Sequence, residues 1–191
     1  MDSHFHQIFK QKNFKTETLS ESTYEQCKFD DCDFTYCDLS GKKFIACVFI
    51  NCDLSLSVLN KTAFQEVQFK NCKMLGMPFH KCDPFLLSFT FESCILHHAS
   101  FYGTKIKKTI FKNSLIHEAD FSDCDLSQSV FDDCDLNLSR FENCNLEKVD
   151  FTAAFNYQID PNVNRMKKAK FSLSQLPGLL QAFDIEIDLG N

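Results

Sequence analysis

The sequence predicts a repeat solenoid built as one domain, and three observations predict it. A large apolar residue recurs at every fifth position over most of the chain. A small residue recurs two positions before it. Gly and Pro are scarce, five and four in 191 residues, which argues against disorder and against a structure full of tight turns. That length suffices for one domain with its own buried core. A helix face repeats at 3.6 residues and a strand face at 2.0, so a period of five fits neither. Self-similarity at a fixed period is the mark of a repeat array.

The first register starts at Phe9 and runs through Phe14, Leu19, Tyr24, Phe29, Phe34, Leu39, Phe44, Phe49, Leu54, Leu59, Phe64, Phe69 and Met74 to Phe79. The second starts at Phe91 and runs through Leu96, Phe101, Ile106, Phe111, Ile116, Phe121, Leu126, Phe131, Leu136, Phe141 and Leu146 to Phe151. No position fails in either. All 11 cysteines fall in the column two residues before the large position, Cys27, Cys32, Cys37, Cys47, Cys52, Cys72, Cys82, Cys94, Cys124, Cys134 and Cys144, and only after Cys82 is that position not large, being Pro84. Ser57, Thr62, Ala99, Thr104, Ser114, Ala119, Ser129, Ser139 and Val149 fill the same place elsewhere. Asp or Asn often stands between the two, as in Cys32-Asp33-Phe34 and Cys144-Asn145-Leu146.

From Phe9 to Phe155 this pattern resembles the pentapeptide-repeat family. The resemblance implies an all-β fold, a right-handed quadrilateral parallel β-helix with four pentapeptides per coil and about seven coils. Large residues would fill the axis, small ones would pack at the corners, and residues 20 apart would lie one above another. Phe91, Phe111, Phe131 and Phe151 would then form one column and Phe101, Phe121 and Phe141 the opposite one. Leu96, Ile116 and Leu136 would line a third face, and Ile106, Leu126 and Leu146 the fourth. Each buried large side chain contributes roughly 1.5–3 kcal/mol before entropy is set against it.

Between the registers, Phe79 to Phe91 spans two fives plus two, and Pro84 stands where a large residue is due. The expectation is a bulge or short loop at residues 80–90. Residues 1–155 are read as the rod, and residues 156–191 as a C-terminal cap and dimerisation segment. Met166 and Phe171, with Ala169, return to the second register and suggest a final partial turn. Ser172 or Ser174 is expected to cap a short helix carrying Leu176, Leu179, Leu180 and Phe183. Ile185 and Ile187 alternate with Glu186 and Asp188 as a short strand. With a turn containing Asp160-Pro161, a leucine-rich helix and a final strand written Asp184-Ile-Glu-Ile, this tail resembles that of the quinolone-resistance (Qnr-type) subgroup. The resemblance implies a homodimer through Leu176, Leu179, Leu180, Phe183, Ile185 and Ile187.

The net charge is −6, which disfavours direct nucleic-acid binding. The acids are concentrated. Residues 118–150 hold ten of them, including Asp120, Asp123, Asp125, Asp132, Asp133, Asp135, Glu142 and Asp150, against Arg140 and Lys148. At about 4.8 Å per coil the block spans roughly 8 Å of axis, or about one net charge per Å. Duplex DNA carries about one per 1.7 Å. The repeat region as a whole carries only about one per 6 Å. The acidic residues named are the candidate partner-binding surface. Asp beside an inward residue is also part of the repeat itself, where it bonds the local backbone.

The subgroup resemblance implies a mimic of duplex DNA that binds DNA gyrase or topoisomerase IV and shields it from quinolones. The long loops common in that subgroup are absent here, apart from the slip near Pro84. The alternative is a general protein-interaction scaffold. Catalysis is not expected: Cys94 lies near His97 and His98, but every Cys occupies an inward position that predicts an inert thiol. Neither a cofactor nor a metal is expected, since the cysteines are spaced by multiples of five within each register rather than as zinc pairs. Lys105, Lys107, Lys108 and Lys112 form one basic cluster, and Arg165, Lys167, Lys168 and Lys170 another, without aromatics interleaved for base stacking. The N-terminus has no basic region leading into an apolar stretch, and no run approaches a membrane span. Both point to the cytosol, where Cys32, Cys52 and Cys72 would stay reduced although stacked one coil apart.

Overall fold

The computed structural model describes residues 3–183 and 185–188. It is a parallel β-solenoid with four flat faces. One face is a nine-stranded sheet of short strands: β2 (Ile8–Lys10), β4 (Lys28–Asp30), β6 (Val48–Ile50), β8 (Val67–Lys70), β9 (Phe89–Glu92), β10 (Ile110–Lys112), β11 (Val130–Asp132), β12 (Asp150–Phe151) and β13 (Lys170–Phe171). A second face begins with the four-stranded sheet of β1 (Ser3–Phe5), β3 (Thr23–Glu25), β5 (Lys43–Ile45) and β7 (Ala63–Gln65). Higher up it continues as single bridges through Lys105, Asp125, Asn145 and Arg165. The remaining two faces are ladders of single bridges, one from Asn13 to Phe155 and one from Asp38 to Arg140.

Partners are 20 residues apart, as in Phe29↔Phe49 and Phe111↔Phe131. The stacking expected from the repeat is therefore the observed fold. The nine-stranded ladder makes about eight turns. That is one more than expected, because the ladder continues past Phe155 to the Phe151↔Phe171 pair.

The axis is filled by rings. Phe9, Phe29, Phe49, Phe69, Phe91, Phe111, Phe131, Phe151 and Phe171 form one unbroken stack with centroids 4.6–5.4 Å apart. A second stack changes sides. In the lower half it is Tyr24, Phe44 and Phe64; in the upper half it is Phe79, Phe101, Phe121 and Phe141. Rings of the two upper stacks meet edge to face, as Phe111 and Phe121 do at 5.9 Å and 89°. That offset arrangement suits the ring quadrupoles.

The corners are made by residues two after each large one. They sit in the left-handed region, and most are not glycine: Asp31 (φ 54°), Ala46 (φ 50°), Asp133 (φ 51°) and Leu138 (φ 57°) are examples. Such a conformation is costly for a residue with a Cβ and persists only where the surroundings impose it. Here the imposing element is the bond to the next coil. Ala46 N–H donates to the Gln65 carbonyl at 2.8 Å, and Asp133's counterpart Asn113 donates to Asp132 at 2.8 Å.

The small residues do more than leave room. Cys47 Sγ donates to the Tyr24 carbonyl at 3.2 Å, Cys124 Sγ to Phe101 at 2.7 Å, Ser57 Oγ to Phe34 at 2.7 Å and Thr62 Oγ1 to Leu39 at 2.7 Å. Each thus ties its coil to the carbonyl of the large residue one coil below; the Phe34, Leu39 and Phe101 carbonyls also accept a turn bond from the N–H of Cys37, Lys42 and Thr104, so there the small residue supplies a second bond. All eleven thiols are free and buried. Burial pushes Cys47, Cys134 and Cys144 up to about 12, which leaves these thiols protonated at neutral pH.

The register slip is a loop at residues 83–88 that lengthens one coil to 22 residues, so Phe69 pairs with Phe91. The loop replaces its coil's regular inward residue: Pro84 is exposed and Leu87 is buried in the core instead. Phe89 compensates: it occupies a small-residue position yet is buried, with its centroid 5.2 Å from Phe79 and 5.0 Å from Phe91.

The tail departs from expectation in two ways. Its one α-helix, α1 (Pro177–Leu180), is a single turn flanked by 3-10 turns at Leu173–Gln175 and Gln181–Phe183. Pro177 rather than a serine starts it, in the position that tolerates a missing N–H, and Ser172 makes no side-chain capping bond. Ile185–Asp188 is not a strand, because alternation alone gives no ladder without a neighbouring strand. Asp184, which would begin that strand, lies outside the described residues.

Candidate partner-binding surfaces

The winding of the chain distributes the acidic block around the rod. Asp120, Asp123 and Glu142 share one face: Asp120 bridges Arg140, and Asp123 N–H donates to the Glu142 carbonyl at 2.8 Å. Asp132, Asp133 and Asp150 belong to the nine-stranded face, where Val130 registers with Asp150. Asp125 stands on a third face, between Lys105 and Asn145. Asp135 stands on the fourth, between Leu115 and Phe155. The block is continuous in sequence and along the axis but not around the perimeter.

Half of the eight candidate acids are committed to local structure. Asp120 accepts from Ser122 N–H at 3.0 Å, Asp125 from Ser127 at 3.1 Å, Asp135 from Asn137 at 3.2 Å and Asp150 from Thr152 at 3.1 Å. Each closes a turn on its own backbone. Basic side chains also face the candidate acids: Lys107 is 3.1 Å from Asp125, Arg140 3.0 Å from Glu142, Lys170 3.0 Å from Asp150, and His117, a cation only when protonated, 2.9 Å from Asp135. For Asp125, burial opposes ionisation, but the Ser127 hydrogen bonds and Lys107 outweigh it and hold the carboxyl below its usual range. For Asp135, burial is outweighed by Asn156 and His117. For Asp150, the Thr152 hydroxyl is the largest cause, prevailing over burial with the help of Lys170. Asp123, Asp132 and Asp133 are exposed.

Sequence spacing did not reveal a histidine cluster beside Asp135. The rings of His97 and His117, one coil apart, stack 4.4 Å apart and 9° from parallel. His98 lies 3.5 Å from Glu118. Burial, followed by the neighbouring His117, lowers the pKa of His97. Among the described residues no group of three or more His, Cys, Asp or Glu is placed to hold a metal ion, and no helix is long and apolar enough to cross a membrane.

The C-terminal segment folds back on the last coil. Ile159 N–H donates to the Gly178 carbonyl at 2.9 Å, and Asn156 N–H to Gln175 Oε1 at 3.3 Å. Asn164 takes the place of a small-residue donor: its Nδ2 donates to the Phe141 carbonyl at 2.8 Å, and its Oδ1 accepts from Cys144 N–H at 2.8 Å. Leu179 packs against the core and Leu180 is half-buried, whereas Leu176, Phe183, Ile185 and Ile187 are exposed.

Solved structures share this architecture. A trypsin-treated variant of QnrB1, a plasmid-mediated fluoroquinolone resistance protein, matches with a TM-score of 0.64 at 19% identity, over 98% of this chain and 100% of that one. A second trypsin-treated QnrB1 variant matches at 0.51 and 17%, over 96% and 99%. HetL, a pentapeptide-repeat protein involved in heterocyst differentiation regulation in the cyanobacterium Nostoc sp. strain PCC 7120, matches at 0.55 and 12%, over 90% and 86%. No curated protein sequence matches the chain. The profile of the pentapeptide repeat region matches residues 42–121 and 85–179, well over half of the sequence. By sequence profile, 20-residue coil and filled axis alike, the chain belongs to the pentapeptide-repeat family.

Proposed function

We propose that the protein is a non-catalytic, dimeric binding rod that docks on a type II topoisomerase, DNA gyrase in the first place, where the enzyme expects duplex DNA. The observation that carries this reading is the net charge of −8 in residues 118–150, mounted on stacked coils whose axis is packed with rings. A rigid acidic rod suits a basic channel that receives phosphates. The fold shared with QnrB1 supports it. Dimerisation is supported by the exposed apolar side chains of the tail, and a two-fold pair is the commonest assembly. Two rods joined there would bring their acidic halves together.

A second reading, a scaffold for other proteins, is favoured by the distribution of the acids over four faces and by the cations already paired with them. Supercoiling by gyrase, titrated with this protein with and without a fluoroquinolone, separates the two. Inhibition without drug, or restored supercoiling with it, supports topoisomerase docking. Restoration would also show that long loops are dispensable. Unchanged supercoiling at micromolar protein, with gyrase from the native host, rejects it in favour of the scaffold.

A further inference from the structure

The coil register unites two lysine clusters that lie far apart in sequence. Lys108, Gln128, Lys148 and Lys168 occupy successive turns of one corner, with φ 59°, 66°, 59° and 61°. Lys108 N–H donates to the Ser127 carbonyl at 3.0 Å, Gln128 to Glu147 at 2.9 Å and Lys148 to Lys167 at 3.0 Å, so each corner rests on the next. Lys105 and Arg165 stand in the neighbouring row, separated by Asp125 and Asn145. Of the acids along this edge, Asp125 is matched by Lys107, Glu147 by Arg165 at 3.4 Å and Asp150 by Lys170, while Glu66, at the foot of the edge, is exposed and in no ion pair among the described residues. Among the described residues, Lys105, Lys108, Lys148, Lys167 and Lys168 have no carboxylate within ion-pair distance, and all five are exposed. A protein of net charge −6 thus carries one edge of unmatched positive charge.

An apolar knob stands at the foot of that edge. The loop at residues 83–88 turns Phe85 and Leu86 outward, 68% and 63% exposed. Beside its backbone bonds, four bonds through side chains hold the loop: Phe85 N–H to Asp83 Oδ1 at 3.0 Å, Gln65 Nε2 to the Phe85 carbonyl at 3.3 Å, Ser88 Oγ to the Leu86 carbonyl at 3.1 Å and Glu66 N–H to Ser88 Oγ at 2.9 Å. Ser88 lies one coil below Lys108, as Thr90 registers with Ile110, and the two residues line a common groove of about 340 Å³.

We propose that this edge docks an extended acidic segment of another protein, with an apolar anchor seated against Phe85 and Leu86. Large apolar side chains held rigidly in water mark contact sites, and an aromatic residue is a favoured anchor. Five lysines without partners select an anionic occupant. The span fixes its length. Four coil steps from the loop to Lys168, at about 4.8 Å each, make about 19 Å, which an extended chain covers with about six residues. Duplex DNA fits less well, because Asp132, Asp133 and Asp150 flank the edge on the nine-stranded face and a phosphate backbone has no use for the apolar knob. The rod of a second copy offers no matching strip, since the acids of residues 118–150 are dispersed around its perimeter.

The test is fluorescence anisotropy with three labelled probes: a hexaglutamate peptide, the same peptide extended by Leu-Phe, and a short DNA duplex, at about 50 and about 200 mM salt. The extended peptide is expected to bind most tightly and to weaken with salt. Combining Lys108→Glu, Lys148→Glu and Lys168→Glu should weaken both peptides by about tenfold or more. Combining Phe85→Ser with Leu86→Ser should reduce the extended peptide to the affinity of hexaglutamate and leave hexaglutamate unchanged. The substituted side chains are all exposed, and unchanged circular dichroism verifies the fold of each variant. Absence of saturable peptide binding overturns the proposal. So does indifference to the charge reversals, or tighter binding to the duplex. None of these outcomes depends on whether gyrase is a partner.

Discussion

Gly178 and Tyr157 are in backbone contact: a Cβ built on Gly178 would stand 2.2 Å from the Tyr157 carbonyl oxygen and 3.0 Å from its ring. Tyr157 is itself buried between Phe151 and Phe171 and cannot retreat. Gly178→Ala should therefore lift the tail off the last coil while the rod stays folded. Limited proteolysis should cut the variant between residues 160 and 180 faster than the parent, with little change in β circular dichroism. Equal cleavage rates would show that the tail is not held at this point.

If the tail forms the dimer, its exposed apolar side chains carry the contact. Leu176→Lys combined with Phe183→Lys should yield folded monomers in sedimentation velocity, because neither residue is buried in the single chain. Both lysines would meet their symmetry mates or apolar surface, and an interface of that kind tolerates an unpaired charge poorly. A dimer that survives both changes places the interface elsewhere.

Phe89 separates the repeat rule from the packing. By the rule, its position takes a small residue, as Thr109 and Ser129 do one and two coils above it. Phe89→Thr should then be harmless. By the packing, the ring fills the space beside Phe79 and Phe91 that the lengthened coil leaves. Its loss should cost about 3 kcal/mol or more through the cavity it opens. Urea unfolding midpoints of parent and variant decide between the two.

The His97–His117 stack should make stability depend on pH. Burial, followed by His117, lowers the folded-state pKa of His97, so the unfolded chain binds the proton more readily. The stabilising neutral form is fully present above the unfolded value of about 6.5 and is lost as pH falls below it. Thermal melts should show a decline starting near that pH. His97→Phe, which keeps an aromatic ring on His117, should flatten it. A second decline, from Asp125, Asp135 and Asp150, belongs near and below about pH 4, where their lowered pKa values are reached. A melting temperature independent of pH between about 7 and 5 would argue against the first effect.

The columns were legible in the sequence because one constraint, filling the axis, acts on every fifth residue alike. Phe111, Phe131 and Phe151 announce themselves by spacing. Phe89 does not, because it answers an irregularity in one coil rather than the period. The tail helix was half legible: Leu179 meets the core, but the alternation of Ile185 and Ile187 had no neighbouring strand to pair with. The surface followed a different logic. Asp120 and Asp125 are close in sequence yet stand on adjacent faces, whereas Lys108 and Lys168 are distant yet share a corner. A cluster along the chain is a ring around the rod, and only residues a whole coil apart make a patch.

The 20-residue register between Phe111 and Phe131 has a consequence for length. Excising one full coil would bring Phe91 under Phe131 and leave every face in line, giving a shorter rod with the same compass bearings. Excising a single pentapeptide would keep the axis filled but rotate everything downstream by a quarter turn, setting the upper acids and lysines over different neighbours below. Insertions and deletions thus act here as a dial as well as a ruler. The 22-residue coil shows the third option, in which the extra chain is pushed out through the wall and the bearing is kept.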